Sequence, residues 1–224
     1  EEVGETAAWT VAVRVLCDLT ARAGDLDLRF TPSPTATEGI EGHQRGAAGR
    51  GPGYETEIAL EARVEGLRVR GRADGFDPVR GRLEEIKTHR GDLGRQPAHH
   101  RHLHQAQLEC YGAMFCADRG LDRIRLALVY LDIGTGTETL IEEQREAAEL
   151  QAAFEARCQA FMAWARQEAA HRQARDAALA PLGFPHPSFR EGQHALAAAV
   201  WRAASQGRPL LAQAPTGIGK TLAT

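Results

Sequence analysis

Polar and apolar residues alternate with a period of two over three neighbouring stretches in the first half of the chain. Ile58, Leu60 and Ala62 alternate with charged residues in the first stretch, and Leu67 and Val69 do so in the second. Alternate residues of a strand point to the same face, so this pattern is typical of half-buried strands. The third stretch, RLEEIKTH, follows a turn at DPVRG. We therefore predict a three-stranded meander.

Apolar residues recur at intervals of three and four in the other segments, which predicts helices. A short extended segment leads into the first helix, and a second helix is predicted around residues 39–45. The third helix is predicted over about 99–119, and a strand pair around Gly134 and Gly136 follows it. A long helix is predicted over about 145–178. The expected buried stripes are Val15, Leu16 and Leu19 in the first helix, and Leu150, Phe154, Cys158 and Phe161 in the long helix.

The segment PLGFPHPSF interrupts these patterns with prolines and a glycine, as a linker does. We predict one domain over residues 1–180, a linker over 181–189, and the beginning of a second domain over 190–224. In the second domain, REGQHALAAAVWRAASQG is expected to be a helix and RPLLAQ a short buried strand. A glycine-rich segment, APTGIGKT, follows that strand.

Composition excludes several classes of protein. The formal net charge of -3 does not by itself indicate a nucleic-acid partner, although a local basic surface remains open. The four cysteines lack the density of a secreted disulfide framework, which favours a reducing compartment. No apolar run approaches the roughly 20 residues that span a bilayer. We therefore expect a cytoplasmic protein that does not interact with membranes.

Charged side chains of the meander form the strongest candidate site. Asp74 lies in the second predicted strand, and Glu85 and Lys87 lie on one face of the third. If the two strands pair through the turn at DPVRG, Asp74 comes close to Glu85. Two neighbouring carboxylates stay ionised when a cation lies between them, and Lys87 could then position a water molecule or stabilise charge on a phosphate. The alternative is an ordinary charged hairpin.

The segments GRADGF and LEEIKT resemble the core of the PD-(D/E)XK nuclease superfamily, in which an aspartate ends one strand and an acidic-x-Lys triplet lies on the next. GIEGHQ and QLECY resemble two further motifs of its RecB-like branch. The resemblance implies that His43, Asp74 and Glu85 bind Mg²⁺ or Mn²⁺, and that Gln107 and Tyr111 bind the substrate. It also implies an α/β fold with a restriction-endonuclease-like core, in which helices flank a central mixed sheet of about five strands. A long helix and the start of a P-loop helicase domain would follow this core.

Some RecB-like nucleases hold an iron–sulfur cluster with one cysteine before the core and three after it. In this chain Cys110 lies inside the QLECY motif, while Cys116 and Cys158 are far apart. This spacing does not suit such a cluster. We expect the four cysteines to be buried apolar thiols, and no iron–sulfur cluster.

APTGIGKT has the pattern of a P-loop with alanine at its first position. Together with the preceding FREGQ segment it resembles the start of a superfamily 2 helicase of the XPD/DinG type. The resemblance implies that ATP is bound through the residues Gln193, Gly217, Gly219, Lys220 and Thr221. Because no second acidic motif or second motor domain follows in these residues, we expect ATP hydrolysis only in a longer protein.

These patterns together predict a divalent-metal-dependent DNA nuclease domain attached to an ATP-dependent DNA helicase. Its expected substrate is single-stranded DNA, in DNA processing or repair. A catalytically silent DNA-binding module attached to a helicase is one alternative. A nucleotide hydrolase whose N-terminal part has only a structural role is another.

Overall fold

The computed structural model describes residues 9–24 and 34–223. In chain order the elements are β1 (Trp9–Ala12), α1 (Val13–Thr20), α2 (Ala36–Ala48), β2 (Glu55–Val64), β3 (Leu67–Asp77), β4 (Arg82–His89), α3 (Ala98–Arg119), β5 (Arg123–Asp132), β6 (Glu138–Glu146), α4 (Ala147–Leu179), α5 (Gln193–Ser205) and α6 (Lys220–Ala223). The helices and strands that the sequence predicts up to α5 are all present.

A mixed six-stranded sheet is the centre of the fold. Strands β2, β3 and β4 form the predicted antiparallel meander, and β5 and β6 form the predicted antiparallel pair. Strand β5 runs parallel to β4, and α3 makes the crossover between them. The short strand β1 adds to β3 in parallel orientation. The prediction of an α/β fold with a mixed sheet is therefore confirmed, with six strands where about five were expected.

Strand β3 changes its neighbour along one edge. Its first residues pair with β1 from Trp9↔Leu67 to Ala12↔Arg70, and its last residues pair with β4 from Gly75↔Glu84 to Asp77↔Arg82. Strand β2 pairs with the other edge along nearly all of β3. In the described part of the chain, residues 71–74 consequently have no strand beside them on the first edge. We call this opening in the sheet the fork.

Helices cover both faces of the sheet. Helix α3 contributes much of the core and contacts α1, β2, β3, β4 and β5. Helix α2 lies on the opposite face of β4, where Gly42 and Gly46 approach Thr88 and Ile86. The stripe predicted for the long helix is confirmed, because Leu150, Phe154, Cys158 and Phe161 of α4 are all buried. No described helix combines the length and the apolarity needed to cross a bilayer.

The stripe predicted for α1 is partly wrong. Leu16 is buried, but Val15 is 46% exposed and Leu19 is 49% exposed. The buried side chains of α1 are Val13, Leu16 and Cys17, which face the core formed with α3. The helical period allows a buried face that begins at Val13 as well as one that begins at Val15. The packing of α1 against the core buries the face that begins at Val13.

The chain divides into two compact units, and the division falls between Ala169 and Ala170, inside α4. The second unit contains α5 and α6. The predicted strand RPLLAQ is wrong, because residues 208–215 have no regular secondary structure. Leu210 is 45% exposed and Leu211 is fully exposed. A strand needs a neighbour for its backbone groups, and the described residues of this unit provide none.

Candidate active site

Asp74 lies at the fork of the sheet. The motif places an aspartate at a strand end, whereas β3 continues to Asp77. The Asp74 Oδ2 accepts a 2.6 Å hydrogen bond from the backbone N–H of Ile86. The side chain thus takes the place that a carbonyl of β3 would occupy if the ladder continued. Extending the β3–β4 register by one residue pairs Asp74 with Glu85.

The backbone opposite Asp74 is also unusual. Positions 56 and 58 of β2 pair with Gly75 and Ala73, but the intervening pair, Glu57 with Asp74, is missing from the ladder. Glu57 has a φ of 55°, in the left-handed region that residues other than glycine rarely occupy. Strained backbone is often found at functional sites. Here it lies directly opposite Asp74, the candidate acidic residue.

Lys87 connects the acidic part of the site with α3. Its Nζ donates to Glu85 Oε1 over 2.7 Å and to Gln107 Oε1 over 3.0 Å. Glu85 and Gln107 are buried, whereas the Lys87 side chain is 24% exposed. Residues two apart on β4 share a face, which is why Glu85 and Lys87 both point toward α3. The structure thus brings these three residues together, whereas the sequence spacing predicted only the shared face of Glu85 and Lys87.

Tyr111 lies one helical turn after Gln107 and packs against β3 at the fork. A Cβ at Gly71 would lie 2.6 Å from Tyr111 Cε1, so glycine makes room for the ring. Burial raises the pKa of Tyr111, and the negative charges of Glu85 and Asp74 raise this pKa further. The phenol therefore lies within the electrostatic influence of both carboxylates and stays protonated at neutral pH.

Glu84, next to Glu85 in the chain, has a different environment on the other face of β4. It is completely buried and accepts hydrogen bonds from Arg50 Nε and Arg82 Nε, each at 2.9 Å, and from the Tyr54 hydroxyl at 3.0 Å. Arg50 and Arg82 also pair with acidic residues of β6, Glu138 and Glu142. Glu84 therefore joins β4 to its neighbours and is not part of the candidate site.

Asp74 and Glu85 are the candidate metal ligands whose side chains the structure describes. Among the side chains that the structure describes, no three His, Cys, Asp or Glu residues are grouped as a metal site. Asp74 and Glu85 provide hard carboxylate oxygens at adjoining positions of two strands. Mg²⁺ in proteins is often held by one or two carboxylates, together with water and substrate phosphates. The two residues fit such an ion.

His43 lies in α2, but its side chain is outside the described residues. Its role as a metal ligand therefore stays a prediction.

The predicted nucleotide-binding residues form a local cluster in the second unit. The Gln193 amide donates to the Gly219 carbonyl over 3.0 Å, and Gln193 Oε1 accepts from the Arg190 N–H over 3.1 Å. Lys220 Nζ donates to the carbonyl of Pro215 over 3.0 Å. Gly217 and Gly219 have positive φ, as this loop conformation requires. Thr221 is exposed and follows Lys220 in α6.

The sequence did not predict that α1 contributes to the site. Arg14, Asp18 and Arg22 line a polar pocket that also contains Lys87 and Gln107. Arg14 and Asp18 of α1 and Arg22, two residues after its end, are spaced four apart, which is a recognisable charged stripe. The stripe alone does not indicate which helix or strand it faces, because the contact between α1 and α3 is tertiary.

The four cysteines are buried, as predicted. Cys17 Sγ and Cys110 Sγ are 3.7 Å apart, which brings α1 and α3 into contact near the QLECY motif. Burial raises the pKa of Cys116 to about 11. The pKa of Cys158 is raised to about 12, first by burial and then by the neighbouring Cys110. These thiols are therefore protonated at neutral pH and behave as apolar core residues.

No model of a known protein family matches the sequence, and no curated protein matches it significantly. Solved structures with some likeness include an alkaline exonuclease (LHK-Exo) from Laribacter hongkongensis, at 17% identity and a TM-score of 0.48 over 76% of this chain and 95% of that one. A phage-related exonuclease from Haemophilus somnus 129PT has 16% identity and a TM-score of 0.45 over 71% of this chain and 82% of that one. A structure named SSO0001 has 24% identity and a TM-score of 0.42 over 71% of this chain and 79% of that one. With TM-scores below 0.5, these likenesses assign neither residues nor activity to this chain.

Proposed function

We propose that this chain contains a divalent-metal-dependent DNA nuclease domain. The observation that carries the proposal is the arrangement at the fork. There Asp74, Glu85 and Lys87 come from two adjoining strands, and Gln107 of α3 contacts the lysine. Two carboxylates can hold a metal ion, and a cation beside them can stabilise the negative charge that develops in phosphodiester hydrolysis.

Asp74 and Glu85 would hold Mg²⁺ or Mn²⁺, with His43 as a further proposed ligand. Such a cation, when bound, supplies charge stabilisation and a nucleophile at neutral pH. The backbone N–H of Ile86 and the Lys87 ammonium fix the two carboxylates in place through the contacts already described. This arrangement leaves little reorganisation for the reaction step.

Lys87 and Gln107 would bind the substrate. The described contacts use two of the three Nζ hydrogens, so one remains for a phosphate oxygen or for the attacking water. A lysine at this place offsets negative charge that develops on the phosphate during hydrolysis. Tyr111 stays protonated and could donate a hydrogen bond beside the carboxylates. Single-stranded DNA is the proposed substrate, and this part rests on the resemblance of the motifs.

Cleavage of end-labelled oligonucleotides tests the proposal. We expect the chain to cut single-stranded DNA with Mg²⁺ or Mn²⁺ and not with EDTA. Asp74→Asn and Lys87→Met should each lower the rate at least about 100-fold, because the first weakens the proposed metal site and the second removes a positive charge at the reacting phosphate. The control is Glu61→Gln, which changes an exposed carboxylate of β2 that pairs with Arg68 and should keep full activity.

Cleavage that survives both substitutions would contradict the assignment of the site. A wild-type chain that binds DNA but never cuts it would instead indicate a silent DNA-binding module. Parallel assays on duplex DNA and on RNA of the same sequence test the proposed preference for single-stranded DNA.

We also propose that residues 190–224 begin the motor domain of a DNA helicase. The contact of Gln193 with the Gly219 carbonyl supports this proposal, since it joins the two segments of the sequence motif. ATP would be bound and hydrolysed in the full-length protein, where it would move DNA toward the nuclease site. DNA processing or repair in the cytoplasm is the proposed setting.

A further inference from the structure

A polar pocket of about 450 Å³ adjoins the candidate active site. Its lining comes from α1 and the residues just after it, from β4 and from α3, and it includes Lys87 and Gln107. Arg14, Arg22 and Lys87 contribute three positive charges to the lining, and Asp18 contributes one negative charge. Arg22 and Asp18 are 3.9 Å apart and largely offset one another. Lys87 pairs with Glu85, which is not part of the lining, so the lining itself keeps a positive charge from Arg14 and Lys87.

His104 lines the same pocket and contacts Tyr130. Its Nδ1 lies 3.0 Å from the Tyr130 hydroxyl, and Tyr130 is completely buried. A phenol can donate its hydrogen to an unprotonated ring nitrogen. If Tyr130 donates to Nδ1 in this way, a neutral His104 carries its own hydrogen on Nε2.

His104 is also held in its neutral form. Burial lowers its pKa to about 3, and the charges of Lys87, His100 and Arg14 lower this pKa as well. A neutral histidine with its hydrogen on Nε2 is a hydrogen-bond donor without a net charge. In that tautomer the pocket would offer an oxyanion two kinds of group, namely cations and one oriented neutral donor.

We propose that this pocket is a phosphate-binding subsite for a DNA strand, in which Arg14 and Lys87 provide positive charge and the Nε2–H of His104 donates to a phosphate oxygen. The inference rests on the proposed nuclease function and extends it, because it names a place for a second phosphate beside the one that is cut. His104 therefore acts in binding and orientation of the strand.

DNA binding by the full chain tests the subsite without cleavage. Fluorescence anisotropy with labelled single-stranded oligonucleotide in EDTA gives Kd over a series of salt concentrations. Glutamine places an amide N–H near the position of Nε2, whereas leucine removes the donor. We expect His104→Leu to weaken binding about 10-fold, as the loss of a hydrogen bond to a charged group does. We expect His104→Gln to stay within about 3-fold of wild type.

The matched control is Arg14→Ala, which removes a cation from the same pocket. A cation that contacts phosphate releases counterions, so its removal should reduce the slope of log Kd against log salt by about 0.7 for a single strand. Because His104 is neutral, His104→Leu should leave that slope unchanged. Comparing the Kd of oligonucleotides with and without a terminal phosphate shows whether the subsite binds a phosphate at the strand end or one in its interior.

Nitrogen-15 spectra of the free protein test the tautomer independently. The expected signature is a protonated Nε2 and an unprotonated Nδ1 for His104 at neutral pH, with a shift of Nε2 when DNA is added. Circular dichroism and thermal unfolding confirm that each variant folds.

Three results would overturn the subsite: His104→Leu binding as wild type, His104→Gln as weak as His104→Leu, or a salt slope lowered by His104→Leu. A wild-type chain that binds no DNA would contradict the proposed function as well, whereas normal DNA binding with an unaffected leucine variant contradicts the subsite alone.

Discussion

Lys87 illustrates how a single side chain can organise this site. Its ammonium group makes an ion pair with Glu85 and a hydrogen bond with Gln107, so it links β4 to α3. The same positive charge contributes to the lowered pKa of His104. One lysine therefore positions an acidic residue and favours the neutral form of a neighbouring histidine.

The environment of His104 predicts a pH-dependent stability. Its pKa is about 3 in the folded chain, against an ordinary value of 6.5 in the unfolded chain. Below pH 6.5 the unfolded state therefore takes up a proton that the folded state does not, and the folded state loses relative stability until the pH falls to about 3. We expect His104→Gln, which cannot titrate, to gain stability relative to wild type by up to about 1 kcal/mol per pH unit below 6.5.

Urea denaturation of the two proteins at pH 7.5, 6.0 and 5.0 measures this difference. Each protein serves as its own reference at pH 7.5, which removes any effect of the substitution that is independent of pH. A difference in unfolding free energy that stays constant over this range would contradict the burial of a neutral imidazole.

Individual residues of the site differ in how readily the sequence predicts them. Glu85 and Lys87 are two apart on a strand, and Gln107 and Tyr111 are four apart on a helix, so local geometry alone puts each pair on one face. Arg14 and His104 are 90 residues apart in sequence and meet only through the packing of α1 on α3. The periodicity within a single helix does not predict which other element that helix packs against.

Among the elements, β3 determines where the site lies. Its edge is shared by β1 and β4, and the residues between these two neighbours form the fork. An open edge would leave backbone groups without partners, and Asp74 and Tyr111 lie at this opening. Side chains that complete the hydrogen bonding of a sheet are held rigidly, which suits a site that must position charge.

Strand β4 depends on Glu84 for its attachment to the surrounding elements. This carboxylate is completely buried between Arg50 and Arg82, whose side chains are 12% and 9% exposed. Removing one member of a buried ion-pair network leaves uncompensated charge. We expect Glu84→Ala to lower the unfolding free energy by about 3–5 kcal/mol, as measured by urea denaturation.

The control for this prediction is Glu57→Ala. Glu57 also pairs with an arginine, Arg72, but both side chains are more than half exposed. Exposed ion pairs contribute little, so this variant should unfold almost as wild type does. Equal stability of the two variants would contradict the structural role of Glu84.

Periodicity predicted most of the elements, including the meander and both long helices, because buried faces repeat at the period of the element. It did not predict which face of α1 is buried. It also gave a strand at RPLLAQ, where apolar residues are exposed in the structure. A strand depends on a pairing partner, and composition does not specify that partner.

At the scale of the whole molecule, the two proposed activities belong to different compact units. The buried stripe of α4 lies between Leu150 and Ala165, within the first unit. The candidate nuclease residues are all in that unit, and the proposed nucleotide-binding residues are in the second.

We therefore expect a chain that ends at Leu179 to fold and to keep the metal-dependent cleavage of the full chain. ATP should not change the cleavage rate of either protein. Lys220→Ala in the full chain is the matched control and should cut DNA as fast as wild type. The measurement is the initial rate on the same labelled oligonucleotide. A shortened chain that folds but has lost cleavage would contradict the assignment of the nuclease to the first unit.

The central claim is that Asp74 and Glu85 together bind a divalent cation at the fork. Anomalous diffraction from crystals soaked in Mn²⁺ tests it most directly, because the anomalous scattering of manganese distinguishes the ion from water. We predict an anomalous peak in contact with carboxylate oxygens of both residues, and no peak there in crystals of Asp74→Asn. An ion bound elsewhere, or no ion at the fork of well-soaked wild-type crystals, would contradict the claim.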